Sequence, residues 1–252
     1  MQKKKMLRSI ALVCAALLLL AAGAGAGWLL AERRANRQAE AYRQQWEAEL
    51  AELRSQLSGA ENLSYQRVLD SWTATLADQY ADVVFLGDSL TAGGSWGEYY
   101  VNYMVSNLGV VGDTVDHLLL RTAQPELLMP NKCFLMIGVN DLIYGSDADM
   151  VLEKYDRLLA KLSAQPMQVY VQSVLPVRED QIRYPVRNEA IRQLNLGIEA
   201  LADRYGMPYI DVHSLFADEA GQLDAAVSYD GLHLSAAGYE RWQQALLPYV
   251  QE

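Results

Sequence analysis

From about residue 62 onward, short apolar runs alternate with longer segments of helical character. The runs have the length and flanks of buried strands and span residues 83–86, 133–137, 168–174 and 208–212, with a weaker fifth candidate at 104–111. The helix-like segments span residues 114–122, 148–162, 188–205 and 235–250. Alternation of this kind predicts an α/β fold, namely a three-layer α/β/α sandwich around a central, mostly parallel, five-stranded sheet.

The first 30 residues differ in character from this domain. Four cationic residues among the first eight precede a run without charge at residues 10–30, and about 20 apolar residues are enough to cross a bilayer as a helix. The run continues through Trp28, which suits the membrane interface. Residues 1–30 are therefore predicted to be a transmembrane signal-anchor that leaves the rest of the chain extracytoplasmic. Small residues at 22–26 keep open the alternative of a cleaved signal peptide and a secreted protein.

A helical stalk is predicted between this anchor and the domain, over residues 31–59. Apolar residues recur there at spacings of three and four, from Ala35 to Leu57, with no Gly or Pro between residues 31 and 57. The stalk is predicted either to be a single helix or to form a homodimer through a short coiled coil. The alternating domain then covers residues 60–252.

Charge is distributed unevenly along the 252 residues. Residues 1–43 contribute +6 to a net charge of −10, so the remainder carries −16. A domain that acidic is a poor match for nucleic acid, because phosphate backbones attract cationic surfaces. The three histidines and two cysteines show no metal-ligand spacing, so no metal is expected, and Cys133 is predicted to be a buried structural thiol.

Candidate functional residues lie just after the predicted strands, because parallel sheets bind their ligands at the carboxyl ends of the strands. Ser89 follows the run at 83–86, Gly112 follows the weaker strand, and Asn140 follows the run at 133–137. Near the C-terminus, Asp230 and His233 lie three residues apart, so one turn can bring the carboxylate to one imidazole nitrogen. The other nitrogen is then free to take a proton from a serine hydroxyl, for which Ser89 is the candidate.

Four sequence blocks carry a resemblance to a known family over about residues 80–250. They are VFLGDSLT at 84–91, NLGVVGDT at 107–114, GVND at 138–141 and DGLHLS at 230–235. In this order they resemble the SGNH hydrolases of the GDSL esterase/lipase superfamily, whose fold is flavodoxin-like. The resemblance implies that Ser89 is the nucleophile, His233 the base and Asp230 its orienting partner. It also implies an oxyanion hole made by Ser89, Gly112 and Asn140, and no metal or organic cofactor.

Each block also has a purely structural interpretation. Ser89 is a candidate helix N-cap, residues 112–114 and 140–141 are candidate turns, and Asp230 with Gly231 is a candidate tight turn beside a surface histidine. Asp88, Asp113 and Asp141 are predicted to brace loops by hydrogen bonding. The remaining histidines, His117 and His213, are predicted to be structural.

The substrate is predicted from resemblance alone. The second block is similar to the branch of platelet-activating-factor acetylhydrolase subunits and carbohydrate acetylesterases, which implies a short acyl group on a small-molecule or carbohydrate ester. A lysophospholipase or thioesterase, an acyltransferase with the same triad, and a non-catalytic binding protein remain alternatives. Candidate substrate contacts are Leu90, Trp96, Tyr99 and Val139, with Tyr100 as a further aromatic.

Overall fold

The computed structural model describes Leu76 and residues 79–252, which fold around one parallel sheet. Its strands are β1 (Val83–Gly87), β2 (Val105–Gly109), β3 (Lys132–Met136), β4 (Gln168–Gln172) and β5 (Tyr209–Ile210). Their order across the sheet is β2-β1-β3-β4-β5, and every neighbouring pair is parallel. The predicted five-stranded α/β architecture is therefore confirmed.

The strand order places a crevice at one particular point. The chain leaves β1 for β2 on one side and returns to β3 on the other, so the connections diverge at the carboxyl end of β1. Such a switch point is where open parallel sheets bind their ligands. Any site in this fold is thus expected just beyond Gly87.

Helices connect the strands. Along the chain they are α1 (Ser89–Ala92), α2 (Trp96–Tyr99), α3 (Val115–Leu119), α4 (Ala123–Leu127), α5 (Val139–Ile143), α6 (Ala148–Ser163), α7 (Asn188–Arg204), α8 (His213–Phe216) and α9 (Ala236–Gln251), with a 3₁₀ turn at Ala225–Val227. Helix α6 begins at the Asp147 cap, whose carboxylate accepts from the Met150 amide, and α9 begins at the Ser235 cap in the same way with Gly238. Local capping therefore fixes where α6 and α9 begin.

Aromatic rings fill the core on one face of the sheet. Phe85, Phe134 and Tyr170 are cross-strand neighbours and stack with centroid distances of 5.1 and 4.8 Å. Trp96 stacks on Phe85 at 4.1 Å and meets Trp242 of α9 edge-on at 5.0 Å. Because strand side chains alternate between faces, the intervening residues of β1 and β3 point to the opposite face of the sheet. Helices α6 and α7 pack against each other.

The strands and the long helices lie close to their predicted positions, and the predicted ends need correction. Strand β5 has two residues where five were predicted, and β4 ends two residues early. The segment predicted as one helix at 114–122 contains only the five-residue α3. The predicted anchor at residues 1–30 and the stalk at 31–59 lie outside the described residues. Within the described part of the chain, no helix is both long and apolar enough to cross a membrane.

Candidate active site

The turn that follows β1 presents Ser89. Asp88 caps α1, its carboxylate accepting from the Leu90 amide at 2.9 Å, so Ser89 is the first residue of the helix and its hydroxyl is not used for capping. Ser89 Oγ instead lies 3.1 Å from His233 Nε2. The N-cap interpretation of Ser89 is therefore wrong, because the preceding aspartate fills that position.

The loop before α9 orients the imidazole. Asp230 Oδ2 lies 2.7 Å from His233 Nδ1, while its Oδ1 accepts from the backbone amides of Leu232 and His233. The loop is closed by Ser228, whose hydroxyl donates to the His233 carbonyl and accepts from the Gly231 amide. The tight turn predicted at Asp230 thus exists. The fold of this turn places the Asp230 carboxylate against the His233 ring.

Two further donors follow the neighbouring strands. Gly112 lies in the turn after β2 with a φ of +80°, a conformation that favours glycine. Asn140, at the start of α5 and 7 % exposed, donates one Nδ2 hydrogen to the Asp113 carbonyl at 2.8 Å. The amide carries a second hydrogen, which remains available to a ligand. Ser89, Gly112 and Asn140 therefore follow β1, β2 and β3, three adjacent strands of the sheet.

Most of the candidate substrate contacts are buried side chains. Leu90, Trp96 and Val139 are only 1–2 % exposed, and Trp96 also donates its indole N–H to the Thr91 carbonyl. Tyr100 is likewise buried and bonds to the Gln243 carbonyl. The Trp96 indole belongs to the core because α2 lies over Phe85. Tyr99 is the one of the four candidates whose side chain is partly exposed.

Other side chains are exposed beside the site. Tyr229 is 70 % exposed and its ring lies nearly parallel to that of His233, with centroids 6.0 Å apart. Tyr144 is 67 % exposed, and a Cβ placed on Gly112 would be 3.7 Å from its hydroxyl. Val111 is 78 % exposed next to Gly112. Sequence reasoning missed these three, although both tyrosines lie within four residues of the residues singled out as catalytic.

A model of the GDSL-like lipase/acylhydrolase family matches residues 85–241, which include the four blocks except for the first residue of the first one. The chain belongs to this family. Among curated proteins, it is similar to platelet-activating factor acetylhydrolase IB subunit alpha1 of Rattus norvegicus, with 31 % identity over 178 residues, covering 67 % of this chain and 74 % of that protein. Family and relatives identify this GDSL-like acylhydrolase as a hydrolase of ester bonds.

Solved structures share the fold. A GDSL-like lipase from Bacteroides thetaiotaomicron is similar with a TM-score of 0.60 and 22 % identity, covering 74 % of this chain and 97 % of that one. An acetylxylan esterase from Geobacillus stearothermophilus has a TM-score of 0.57 and 19 % identity, covering 70 % of this chain and 96 % of that one. At these identities, the likeness supports the fold of the GDSL-like acylhydrolase and no finer property.

Buried carboxylates surround the site in this acylhydrolase. Burial raises the pKa of Asp88 to about 7 and that of Asp141 to about 6. Asp141 Oδ2 accepts from the Val115 amide, so it links α5 to the start of α3. Asp88, Asp113 and Asp141 all accept hydrogen bonds that hold loops, which confirms their predicted bracing role.

The Asp230 carboxylate has the opposite environment. Partial burial raises its pKa, but hydrogen bonds from His233 and from two backbone amides outweigh that effect and bring the pKa below its ordinary value. Asp230 is therefore ionised at neutral pH and acts as an acceptor for the imidazole. His213, by contrast, bonds to the Val174 carbonyl and to Ser173, a structural arrangement as predicted.

Proposed function

We propose that this GDSL-like acylhydrolase is a serine esterase that removes short acyl groups, above all acetyl, from carbohydrate esters. The observation that carries the proposal is the continuous contact from Ser89 Oγ through His233 to Asp230, with distances of 3.1 and 2.7 Å. A serine becomes a nucleophile when an oriented base takes its proton, and this arrangement meets that requirement.

The proposed reaction has two steps. His233 takes the Ser89 proton as the hydroxyl oxygen attacks the ester carbonyl, and the resulting tetrahedral intermediate expels the alcohol, to which His233 returns the proton. Water then attacks the acyl-enzyme, again losing a proton to His233, and the free acid leaves as Ser89 is regenerated. The Ser89 and Gly112 amides and the second Asn140 hydrogen are proposed to stabilise the oxyanion.

The choice of a carbohydrate ester rests on the surface beside Ser89. Exposed Tyr144 and Tyr229 offer apolar ring faces with polar hydroxyl tips, which suit a ring-shaped, hydroxylated substrate. The acidic domain disfavours anionic headgroups. An acetylxylan esterase among the structural relatives and an acetylhydrolase among the curated ones are consistent with acetyl as the acyl group.

The test uses the full chain in a mild detergent with p-nitrophenyl esters of two to twelve carbons. We expect turnover that is highest for acetate and falls with chain length, and Ser89→Ala should lower kcat by at least about 10⁴-fold, because the nucleophile is lost. Ser163→Ala, an exposed serine outside the site, is the matched control and should behave as wild type.

Two further substrates separate the alternatives. Acetate release from an acetylated xylo-oligosaccharide would support the carbohydrate proposal, whereas preference for a lysophospholipid and for long acyl chains would identify a lipase instead. Transfer of the acetyl group to an added sugar acceptor, detected by mass spectrometry, would identify an acyltransferase. Absence of Ser89-dependent turnover on every ester would overturn the proposal.

A further inference from the structure

A fully buried arginine lies behind the proposed oxyanion hole. The Arg121 guanidinium donates from Nη2 to the Gly87 carbonyl at 2.8 Å and from Nη1 to the Leu108 carbonyl at 2.7 Å. Its Nε donates to Asp113 Oδ2 at 2.7 Å, and Nη2 lies 2.6 Å from the same oxygen. We propose that Arg121 is a positioning residue that sets the geometry of the oxyanion hole, an inference that rests on the proposed function.

The three acceptors belong to the three segments that must come together. Gly87 ends β1 two residues before Ser89, Leu108 lies near the end of β2, and Asp113 directly follows Gly112. A planar guanidinium presents five donors in fixed directions from three nitrogens and holds all three acceptors at once, whereas an ammonium has its three donors on one nitrogen at the end of a flexible chain. A single side chain therefore fixes the distance between the nucleophile turn and the Gly112 turn.

The link extends to the third donor. Asp113 accepts from Arg121 through its side chain and from Asn140 Nδ2 through its backbone carbonyl, at 2.8 Å. A displacement of Asp113 therefore moves Gly112 and Asn140 together. Oxyanion stabilisation depends on donors within about 3 Å of the developing charge, so small displacements are costly to turnover.

The cost of burying this charge is consistent with such a role. Both partners of the Arg121–Asp113 pair are at most 1 % exposed, and a buried ion pair gives little net stability compared with apolar residues of similar size. A close-packed apolar group in place of Arg121 would leave the Gly87 and Leu108 carbonyls without this donor. The pair is thus better explained by geometry than by stability.

The decisive variant is Arg121→Lys in the full chain, which keeps the positive charge and loses the planar arrangement of donors. We expect kcat for p-nitrophenyl acetate to fall by about 10- to 100-fold, with KM within about threefold, because the lost interaction acts in the transition state. Leu158→Ala, which opens a cavity in the buried face of α6, a helix that holds none of the proposed site residues, is the control for destabilisation. It should lower the melting temperature and leave kcat unchanged at 25 °C.

A double-mutant cycle with Asn140→Ala tests the route of the effect. If Arg121 acts through the Asp113–Asn140 link, the double variant should lose clearly less than the product of the two single losses. Multiplicative losses, or a folded Arg121→Lys protein with kcat within threefold of wild type, would overturn the inference. Should Arg121→Lys not fold, the neutral pair Arg121→Met with Asp113→Asn replaces it, with the same expected loss of kcat.

A second readout keeps this inference separate from the proposed function. Labelling of Ser89 by a fluorophosphonate needs the same nucleophile and the same oxyanion donors but no ester substrate. If wild type labels without hydrolysing any ester, the proposed function fails, and slower labelling of Arg121→Lys would still support the positioning role. Equal labelling rates in the two proteins would exclude it.

Discussion

Asp88, directly before the proposed nucleophile Ser89, carries a carboxylate that burial makes hard to ionise. It is 1 % exposed, its Oδ2 has no hydrogen-bond partner, and desolvation raises its pKa to about 7. A group whose pKa is higher in the folded than in the unfolded protein favours folding most at low pH. This stabilisation is complete below about pH 4 and is lost as pH rises through about 7.

Replacing Asp88 by Asn should remove that pH dependence. The substituted side chain keeps an oxygen for the Leu90 amide, and its buried NH₂ adds a cost that does not vary with pH. We expect the free energy of unfolding of the variant, relative to wild type, to rise by about 2–3 kcal/mol between pH 5 and pH 8. Urea denaturation at both pH values measures this difference. Asp180→Asn, at an exposed site, is the control, and parallel curves for Asp88→Asn and wild type would contradict the prediction.

Single residues also show where sequence reasoning ended. Ser89, Asp230 and His233 were predictable because their side chains do the bonding and their order along the chain carries the signal. Arg121 was not, because two of its partners are backbone carbonyls, which leave no trace in the sequence. The burial of Trp96 was not predictable either, since an aromatic residue in a Gly-rich loop gives no indication of which way the loop packs.

At the scale of an element, the loop between the 3₁₀ turn and α9 is also held by backbone contacts. Gly231 has a φ of +84°, and its carbonyl accepts from the Arg178 amide, which fixes the loop against the 178–182 segment. A Cβ at this position would lie 2.9 Å from Gln181 Cβ and 3.1 Å from the Arg178 carbonyl. The Asp230–His233 turn therefore tolerates no side chain at its centre without moving.

Gly231→Ala should damage stability and activity together. We expect a loss of about 1–3 kcal/mol from the strained backbone and more than a tenfold fall in kcat, because displacement of the turn lengthens the His233 contacts. Gly206→Ala is the matched control, since Gly206 also has a positive φ, of +65°, and a Cβ added there would have no atom within 4 Å and no link to the site. It should lower stability and leave kcat unchanged. Thermal melts and steady-state kinetics on both variants measure these effects. A similar kcat in the two would contradict the role of Gly231 in placing the Asp230–His233 turn.

Strands and helices were predictable from the sequence where one pattern, either an apolar run or a helical period, was strong. Strands β1 and β3 are apolar on both faces, and the long helices α6 and α7 have a continuous apolar stripe, so length and periodicity located them. The edge strands gave weaker signals: β2 is mostly half-buried and β5 has only two residues. The short helices α1, α2 and α5 exist because loops fold over the strand ends, and no window of four or five residues carries a helical period.

At the scale of the whole molecule, the proposed chemistry belongs to the described domain, and the predicted membrane attachment belongs to the first 59 residues. The site depends on three adjacent strand ends and on the loop before α9, all within residues 83–235. Nothing in the proposed reaction requires residues 1–59. The predicted anchor and stalk should therefore determine location and leave chemistry unaffected.

Removal of residues 1–59 tests this division. We expect the full chain to pellet with membranes and to need detergent for release, because about 20 uncharged residues precede the stalk. The truncated protein should remain in the soluble fraction with kcat on p-nitrophenyl acetate within twofold of the full chain. Fractionation followed by activity assay measures both, and mass spectrometry of the full chain shows whether its N-terminus is intact. If expression of the full chain gives a soluble product that begins after residue 22, this would support the signal-peptide alternative, since a cleaved chain keeps its site and loses its anchor.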